Sequence, residues 1–328
     1  MTENNEMRVG IIGAGTIAGK IASTLKDLDG VVNFAVASRS LEKAQAFARE
    51  WGFERAYGSY AELLDDGDVD LVYIATPHSH HYDVTREAIL KGKPCLVEKA
   101  FMANYRESKE IVDLARERKV FVAEAIWTRY QPAVQMIRKL IADDRIGTPQ
   151  LISATIGYPM LHKERLLKPE LCGGALLDVG VYAINFFRMF CDAKVERVFS
   201  SCMKSDLGVD LQNAASYVLE NGVMANIQSS ALCVSDNQGV ISGTKACLAV
   251  DDINNPQVIS IYGRNHMLEE EFRVPAQITG YEYEFLACKE ALENNLTESP
   301  MMPLDETLTV MKMMDDLRME WGVRYPMD

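Results

Sequence analysis

The six residues Gly13-Ala14-Gly15-Thr16-Ile17-Ala18 follow the apolar run Met7–Ile12 and open a stretch with helical periodicity. Two glycines at such a junction leave few folds open. Gly13 allows a tight strand-to-helix turn, Gly15 lets a ligand approach the backbone, and Ala18 lets the helix lie close on the strand. The free N–H groups of the first helical turn, beginning at Thr16 and Ile17, then face an anion. G-x-G-x-x-A in a strand–turn–helix setting is the fingerprint of a dinucleotide pyrophosphate site. The alternative is a tight turn with no ligand.

The flanking pattern agrees. Short apolar runs at Val31–Ala37, Leu71–Ala75, Cys95–Val97 and Val120–Ala123 read as buried parallel strands, with a minimal strand at Arg55–Tyr57. Between them lie helical stretches at Leu41–Trp51, Tyr82–Lys91 and Tyr105–Arg118, with capping pairs Ser59/Glu62 and Asn104/Glu107. This alternation predicts an α/β, doubly wound Rossmann sheet over residues 1–125. Residues 126–328 read differently. An apolar helix is expected over Gly174–Phe190, then strands at Val195–Met203, Ala214–Glu220 and Val223–Ser229, the last two joined by a type I′ turn at Asn221-Gly222. Helices at Tyr281–Glu293, capped by Thr279 and Glu282, and Asp305–Trp321 close the chain. The second domain is therefore an α+β unit with a largely antiparallel open sheet, and its last helix is able to pack back on the first domain.

The chain has 328 residues, a two-domain length. Its 47 acidic and 34 basic side chains leave a net charge of −13, without the basic footprint of a nucleic-acid binder or of a protein attracted to anionic membranes. No apolar stretch of membrane-spanning length stands out, and Met1–Arg8 lacks the pattern of an export signal. Seven scattered cysteines, an odd number, fit reduced thiols and a cytoplasmic location. Cys95 and Cys172 lie beside motifs but lack an activating His and read as structural. Met301, Met302, Met311, Met313 and Met314 read as core filling.

The loop after the second strand reports on the nucleotide. An acidic residue there would hold a ribose 2′-hydroxyl; this chain has Ser38 and Arg39, with Lys43 one turn on. A guanidinium and a hydroxyl suit a 2′-phosphate, so NADP(H) is expected and NAD is disfavoured.

Several further motifs stand in order: Ala75-Thr76-Pro77, His81, Glu98-Lys99, Glu124–Arg129 and Gly173–Tyr182. With the fingerprint, they run over nearly the whole chain, which resembles the Gfo/Idh/MocA oxidoreductases. Within that family it is most similar to the branch of dimeric dihydrodiol dehydrogenases, NADP-dependent xylose dehydrogenases and glucose–fructose oxidoreductase. The resemblance implies that Lys99 lies by the nicotinamide and the substrate hydroxyl, next to Glu98, with Ala100 where the family has proline. A nearby ammonium would stabilise a developing alkoxide. Tyr182 is then the general acid/base and Lys99, across the domain cleft, its electrostatic partner, because an unassisted phenol titrates near 10. Asp178, four residues before Tyr182 and hence on the same α-helical face, positions substrate hydroxyls. Thr76, Pro77 and His78 line the nicotinamide ribose, and His81 packs close by. Three histidines at 78, 80 and 81 also invite a metal, but no second ligand cluster accompanies them, so no metal is expected.

Trp127 reads either as an aromatic wall against the substrate or as a buried junction residue; Arg129 and Tyr281 are further substrate-binding candidates. The loop Tyr158–Leu171 is expected to carry specificity. The resemblance implies a homodimer or a dimer of dimers. The expected activity is NADP-dependent hydride transfer with a secondary carbinol of a sugar, polyol or vicinal diol. Reduction of a keto- or anhydro-sugar, and a non-catalytic NADP(H) sensor, are the alternatives.

Overall fold

The computed structural model describes residues 6–328; Met1–Asn5, part of the segment read as lacking an export signal, lie outside the described residues. In chain order the elements are β1 (Met7–Ile12), α1 (Thr16–Lys26), β2 (Val31–Ala37), α2 (Leu41–Trp51), β3 (Arg55–Tyr57), α3 (Tyr60–Asp65), β4 (Leu71–Ile74), α4 (His81–Leu90), β5 (Cys95–Glu98), α5 (Tyr105–Arg118) and β6 (Val122–Ala125). There follow α6 (Pro132–Ala142), β7 (Pro149–Gly157), α7 (Val181–Phe190), β8 (Val195–Lys204), β9 (Asp210–Leu219), β10 (Met224–Ser230), β11 (Gly239–Gly243), β12 (Cys247–Val250), β13 (Val258–Tyr262), β14 (Leu268–Arg273), α8 (Glu282–Glu293) and α9 (Leu304–Trp321).

The chain divides into two units. The first holds the residues up to Trp127, then Gln277–Met311 and Met327; the second holds Thr128–Ala276, Lys312–Pro326 and Asp328. A boundary at 125/126 leaves out the return of Gln277–Met311 to the first unit. Nothing in the periodicity of that segment says which sheet its apolar face seeks.

The first unit is a parallel sheet in the order β3-β2-β1-β4-β5-β6. Strands β4 and β5 are buried at every position, as expected when helices cover both faces. The order reverses between β1 and β4, and ligands of such sheets bind outside the carboxyl ends of the strands at that point. Phe285, Cys288 and Ala291 of α8 complete the core beside Leu71, Tyr73 and Leu96. Two of the expected caps form: Ser59 and Glu62 make a full capping box, and Asn104 Oδ1 accepts from the Glu107 N–H at 2.9 Å; α8 starts at Glu282 with Tyr281 as its N-cap and no capping side chain, the Thr279 N–H donating instead to Glu282.

The second unit is an eight-stranded sheet, β14-β13-β12-β11-β7-β10-β9-β8, antiparallel throughout except for β7 against β10. Ala225 and Ile227 of β10 are buried while Met224 is exposed, the alternation of a one-sided sheet. Two expectations are corrected here. The β9–β10 loop is not a type I′ turn: only Gly222 has positive φ (83°), and its N–H donates to the Leu219 carbonyl at 2.8 Å while the Leu219 N–H donates to the Val223 carbonyl. This is a three-residue loop with a type I turn and a glycine bulge. Nor is the helix before β8 uniform. Leu176–Gly180 forms a π-helical turn ahead of α7.

Pro169–Phe190 is, by length and composition alone, apolar enough to cross a membrane, contrary to the expectation that no stretch has that length. Most of it is buried inside the fold, as in the core helix of a globular unit.

Candidate active site

The candidate nucleotide site stands on the first unit. Gly13 has φ 106°, and a Cβ there would stand 2.7 Å from the Ala75 carbonyl oxygen. Only glycine brings β1 this close to the end of β4. Around Gly15 the space is open: a Cβ would meet nothing within 4 Å. Gly15 is the N-cap of α1 and supplies no side-chain cap, so the first-turn N–H groups of Thr16 and Ile17 have no capping side chain, while Ala18 is buried. Thr76 Oγ1 is buried and without a hydrogen-bond partner among the described residues. An open cradle, an uncapped helix start and an orphaned hydroxyl fit the pyrophosphate and ribose of a dinucleotide. Ser38 is buried, and Arg39 and Lys43 are exposed on the loop and first turn after β2.

The segments after β4 and β5 are tied together through histidine. His81 is fully buried; its Nε2 lies 2.8 Å from the Thr76 carbonyl and its Nδ1 3.1 Å from those of Ala100 and Phe101. Burial pushes its pKa down against the opposing pull of these three carbonyls. His81 is thus enclosed by backbone and ties the two loops together. His78 is buried with Nε2 3.1 Å from the Lys99 carbonyl, while Pro77 is exposed. Lys99 is half-buried, and the Lys99–Ala100 peptide bond is cis. Glu98 is buried; its Oε2 accepts from the Lys99 N–H at 3.2 Å and its Oε1 from the Tyr73 hydroxyl.

Sequence reasoning did not single out Tyr73 or Glu284. Glu284 on α8 is fully buried, with neither carboxyl oxygen hydrogen-bonded among the described residues. Burial and the neighbouring Glu98 charge push its pKa well up. Its only trace in the sequence is an acidic residue on the apolar side of a helix. Trp127 stacks on Tyr281 with ring centroids 4.2 Å apart and planes 20° from parallel. The two aromatic candidates are thus brought together, with Trp127 buried and Tyr281 half-buried.

The second unit carries Asp178, Tyr182 and Arg129. Asp178 is buried, and Arg165 Nη2 donates to its Oδ1 at 2.8 Å. Tyr182 is buried in the first turn of α7. Asp178 lies within the π-helical turn rather than in an α-helix, and four residues on, in the first turn of α7, Tyr182 still comes back to nearly the same face. Arg129 is buried and its Nε donates to Asn185 Oδ1 at 2.5 Å; Asn185 in turn donates to the Val181 carbonyl at 2.8 Å. Arg129 therefore braces α7.

Beneath the π-helical turn is a buried polar group that the sequence did not reveal. Asp210 opens β9; its Oδ2 accepts from the Leu176 N–H and from Asn213 Nδ2, each at 2.8 Å. Burial raises its pKa to about 6, against the opposing pull of these two donors. Cys95, Cys172, Cys191 and Cys288 are buried, and all seven cysteines are free thiols. Met302, Met311, Met313 and Met314 are core residues.

Comparison with known proteins agrees with this geometry. Residues 7–125 match the GFO_IDH_MocA family, described as an oxidoreductase family with an NAD-binding Rossmann fold, and residues 134–249 match the GFO/IDH/MocA C-terminal domain. The chain is 33% identical to a trans-1,2-dihydrobenzene-1,2-diol dehydrogenase of Xenopus tropicalis, over 97% of this chain and 98% of that one. It is 31% identical to the Mus musculus protein of the same name, over 98% and 99%. Among solved structures it resembles a 3-ketoreductase from Actinomadura kijaniata in complex with NADP and TDP-benzene, with a TM-score of 0.84, 25% identity and coverage of 96% and 97%. A levoglucosan dehydrogenase in complex with NADH, at 18% identity and a TM-score of 0.86 over 97% of each chain, shares the fold. Two family matches, full-length relatives above 30% identity and a dinucleotide cradle at the sheet's switch point together establish that the chain belongs to the Gfo/Idh/MocA family of oxidoreductases.

Proposed function

We propose that this chain is an NADP(H)-dependent dehydrogenase that interconverts a secondary carbinol and a ketone on a vicinal diol or a sugar. The observation that carries the reading is the uncapped first turn of α1 beside Gly13 and Gly15, with Arg39 in place of an acid after β2. The relatives' activity on a trans-dihydrodiol supplies the substrate class.

When bound, the nucleotide supplies the hydride acceptor in one direction and the donor in the other. The chain's own residues handle the proton and the charge. Tyr182 Oη takes the proton of the carbinol O–H during oxidation and returns it during reduction. The Lys99 ammonium, just after β5, stabilises the alkoxide. Asp178 accepts hydrogen bonds from substrate hydroxyls while Arg165 fixes its carboxylate. The exposed Arg39 guanidinium and the Ser38 hydroxyl bind the 2′-phosphate. A second reading, reduction of a keto-sugar as the working direction, is favoured by the likeness to the 3-ketoreductase; the same groups serve both directions.

The test is NADPH formation read by absorbance, with NADP⁺ against trans-dihydrodiols, aldoses and inositols. Turnover on one group names the substrate. Tight NADPH binding without turnover on any of them moves the reading to a reductase or a sensor. Arg39→Ala is expected to weaken NADPH binding about 10-fold or more and NADH binding less than about 2-fold, since a charged hydrogen bond is worth roughly 1.5–3 kcal/mol. Equal loss for both nucleotides would remove Arg39 from the 2′-phosphate site.

The outer face of β8, β9 and β10 aligns Phe199, Ser216 and Asn226 in one row and Ser201, Ala214 and Gln228 in the next, around a depression of about 390 Å³. Phe199 is 61% exposed. We propose that this face pairs two copies in a cytoplasmic homodimer. Phe199→Glu is expected to shift the mass found by light scattering from a dimer to the 36.7 kDa monomer.

A further inference from the structure

The π-helical turn Leu176–Gly180 carries Asp178 and leads into Tyr182, so whatever fixes its entry fixes both groups. Two side chains from distant parts of the second unit hold that entry. Asp210 Oδ2 accepts the Leu176 N–H, and Tyr325 Oη donates to the Gly173 carbonyl at 2.6 Å. Between these anchors Gly174 has φ 122°, and a Cβ there would overlap the Asp210 carboxylate. Each anchor is itself held. Asn213 donates to Asp210 and accepts from Ser229 at 2.8 Å. The Arg318 guanidinium lies 4.2 Å from the centroid of the Tyr325 ring, and the Tyr325 N–H donates to Asp328. Both anchors are buried, Asp210 fully and Tyr325 at 4% exposure.

We propose that Asp210 and Tyr325 are positioning residues for the reaction: they clamp Gly173–Leu176 and thereby set the direction of Asp178 and Tyr182. This rests on the assignment of Asp178 and Tyr182 to the chemistry. What the clamp needs at 210 is an acceptor, so an amide of the same shape serves, whereas a methyl group does not. At 325 it needs the hydroxyl alone; the ring is packing.

The experiment compares Asp210→Ala, Asp210→Asn and Tyr325→Phe with the intact chain in two readouts. The first is steady-state kinetics on the best substrate of the panel. A misplacement of about 1 Å costs up to roughly 100-fold, so kcat is expected to fall about 10- to 100-fold in Asp210→Ala and Tyr325→Phe. The dissociation constant for NADPH stays within about 2-fold, and Asp210→Asn recovers most of kcat. The second is amide hydrogen exchange over residues 173–182, expected to quicken about 10-fold in the same two variants and not in Asp210→Asn. Tyr325→Phe keeps the packing and serves if Asp210→Ala does not fold. Unchanged exchange in Tyr325→Phe, or faster exchange with unchanged kcat, overturns the proposal. Tyr182→Phe run alongside separates the two readings. If it retains turnover, the assignment of the chemistry fails. If it loses turnover while Tyr325→Phe and Asp210→Ala both match the intact chain, the clamp alone fails.

Discussion

Tyr182→Phe is expected to lower kcat by about 100- to 10,000-fold, the range over which a positioned proton donor or acceptor contributes. The substitution removes one oxygen from a side chain that is 8% exposed and leaves its ring packing in place. NADPH affinity is expected to stay within about 2-fold, because the cradle at Gly13 and Gly15 is built by the other unit. Stopped-flow absorbance separates the two quantities: nucleotide binding persists while the chemical step disappears. Turnover within about 3-fold of the intact chain would show that another group moves the proton.

Arg318→Met is expected to cause the largest loss of stability. Arg318 is fully buried, donates to both oxygens of Asp328 at 3.0 Å and to Asp315 at 2.6 Å, and covers the Tyr325 ring. These carboxylates hold the guanidinium protonated despite burial. Methionine keeps the apolar stem but takes the guanidinium away from two carboxylates, each 13% exposed. Breaking a buried pair from one side costs about 3 kcal/mol or more. For a unit of this size that corresponds to a fall of roughly 6–12 °C in its melting transition. The loss should be nearly the same at low and high salt, because a buried pair is poorly screened. A strong salt dependence would mean that the site is wetter than its burial indicates.

The first unit was largely legible in the sequence because its signals are local. The fingerprint, the capping boxes and the continuous apolar strands each lie within a few residues, and β1, β2 and β3 fall where those signals place them. The strand at Val122–Ala125 was read two residues early, since nothing in an apolar run marks where pairing with β5 begins. The roles proposed for Tyr182 and Lys99 come only through the resemblance, as neither spacing nor periodicity relates residues so far apart. What escaped notice was the supporting layer. Asp210 precedes an ordinary alternating strand, Glu284 is an acid on a helix, and Tyr73 is an aromatic in a buried run. Each acquires its meaning only from a partner dozens of residues or more away. The π-helical turn was likewise invisible, because an extra residue in a helical turn leaves an apolar segment just as apolar.

The return of α8 to the first unit has a consequence for how the chain is made. Phe285, Cys288 and Ala291 fill the core under Tyr73 and Leu96, yet they are synthesised about 160 residues after β6. A ribosome adding roughly 5–20 residues per second needs on the order of ten seconds to cover that interval. Throughout it, the finished parallel sheet has an apolar flank with no helix to cover it. The second unit must therefore emerge and collapse beside a partly open neighbour. A fragment ending after β6 would keep that flank bare permanently, and chaperone engagement of the nascent chain should peak before residue 285 leaves the exit tunnel.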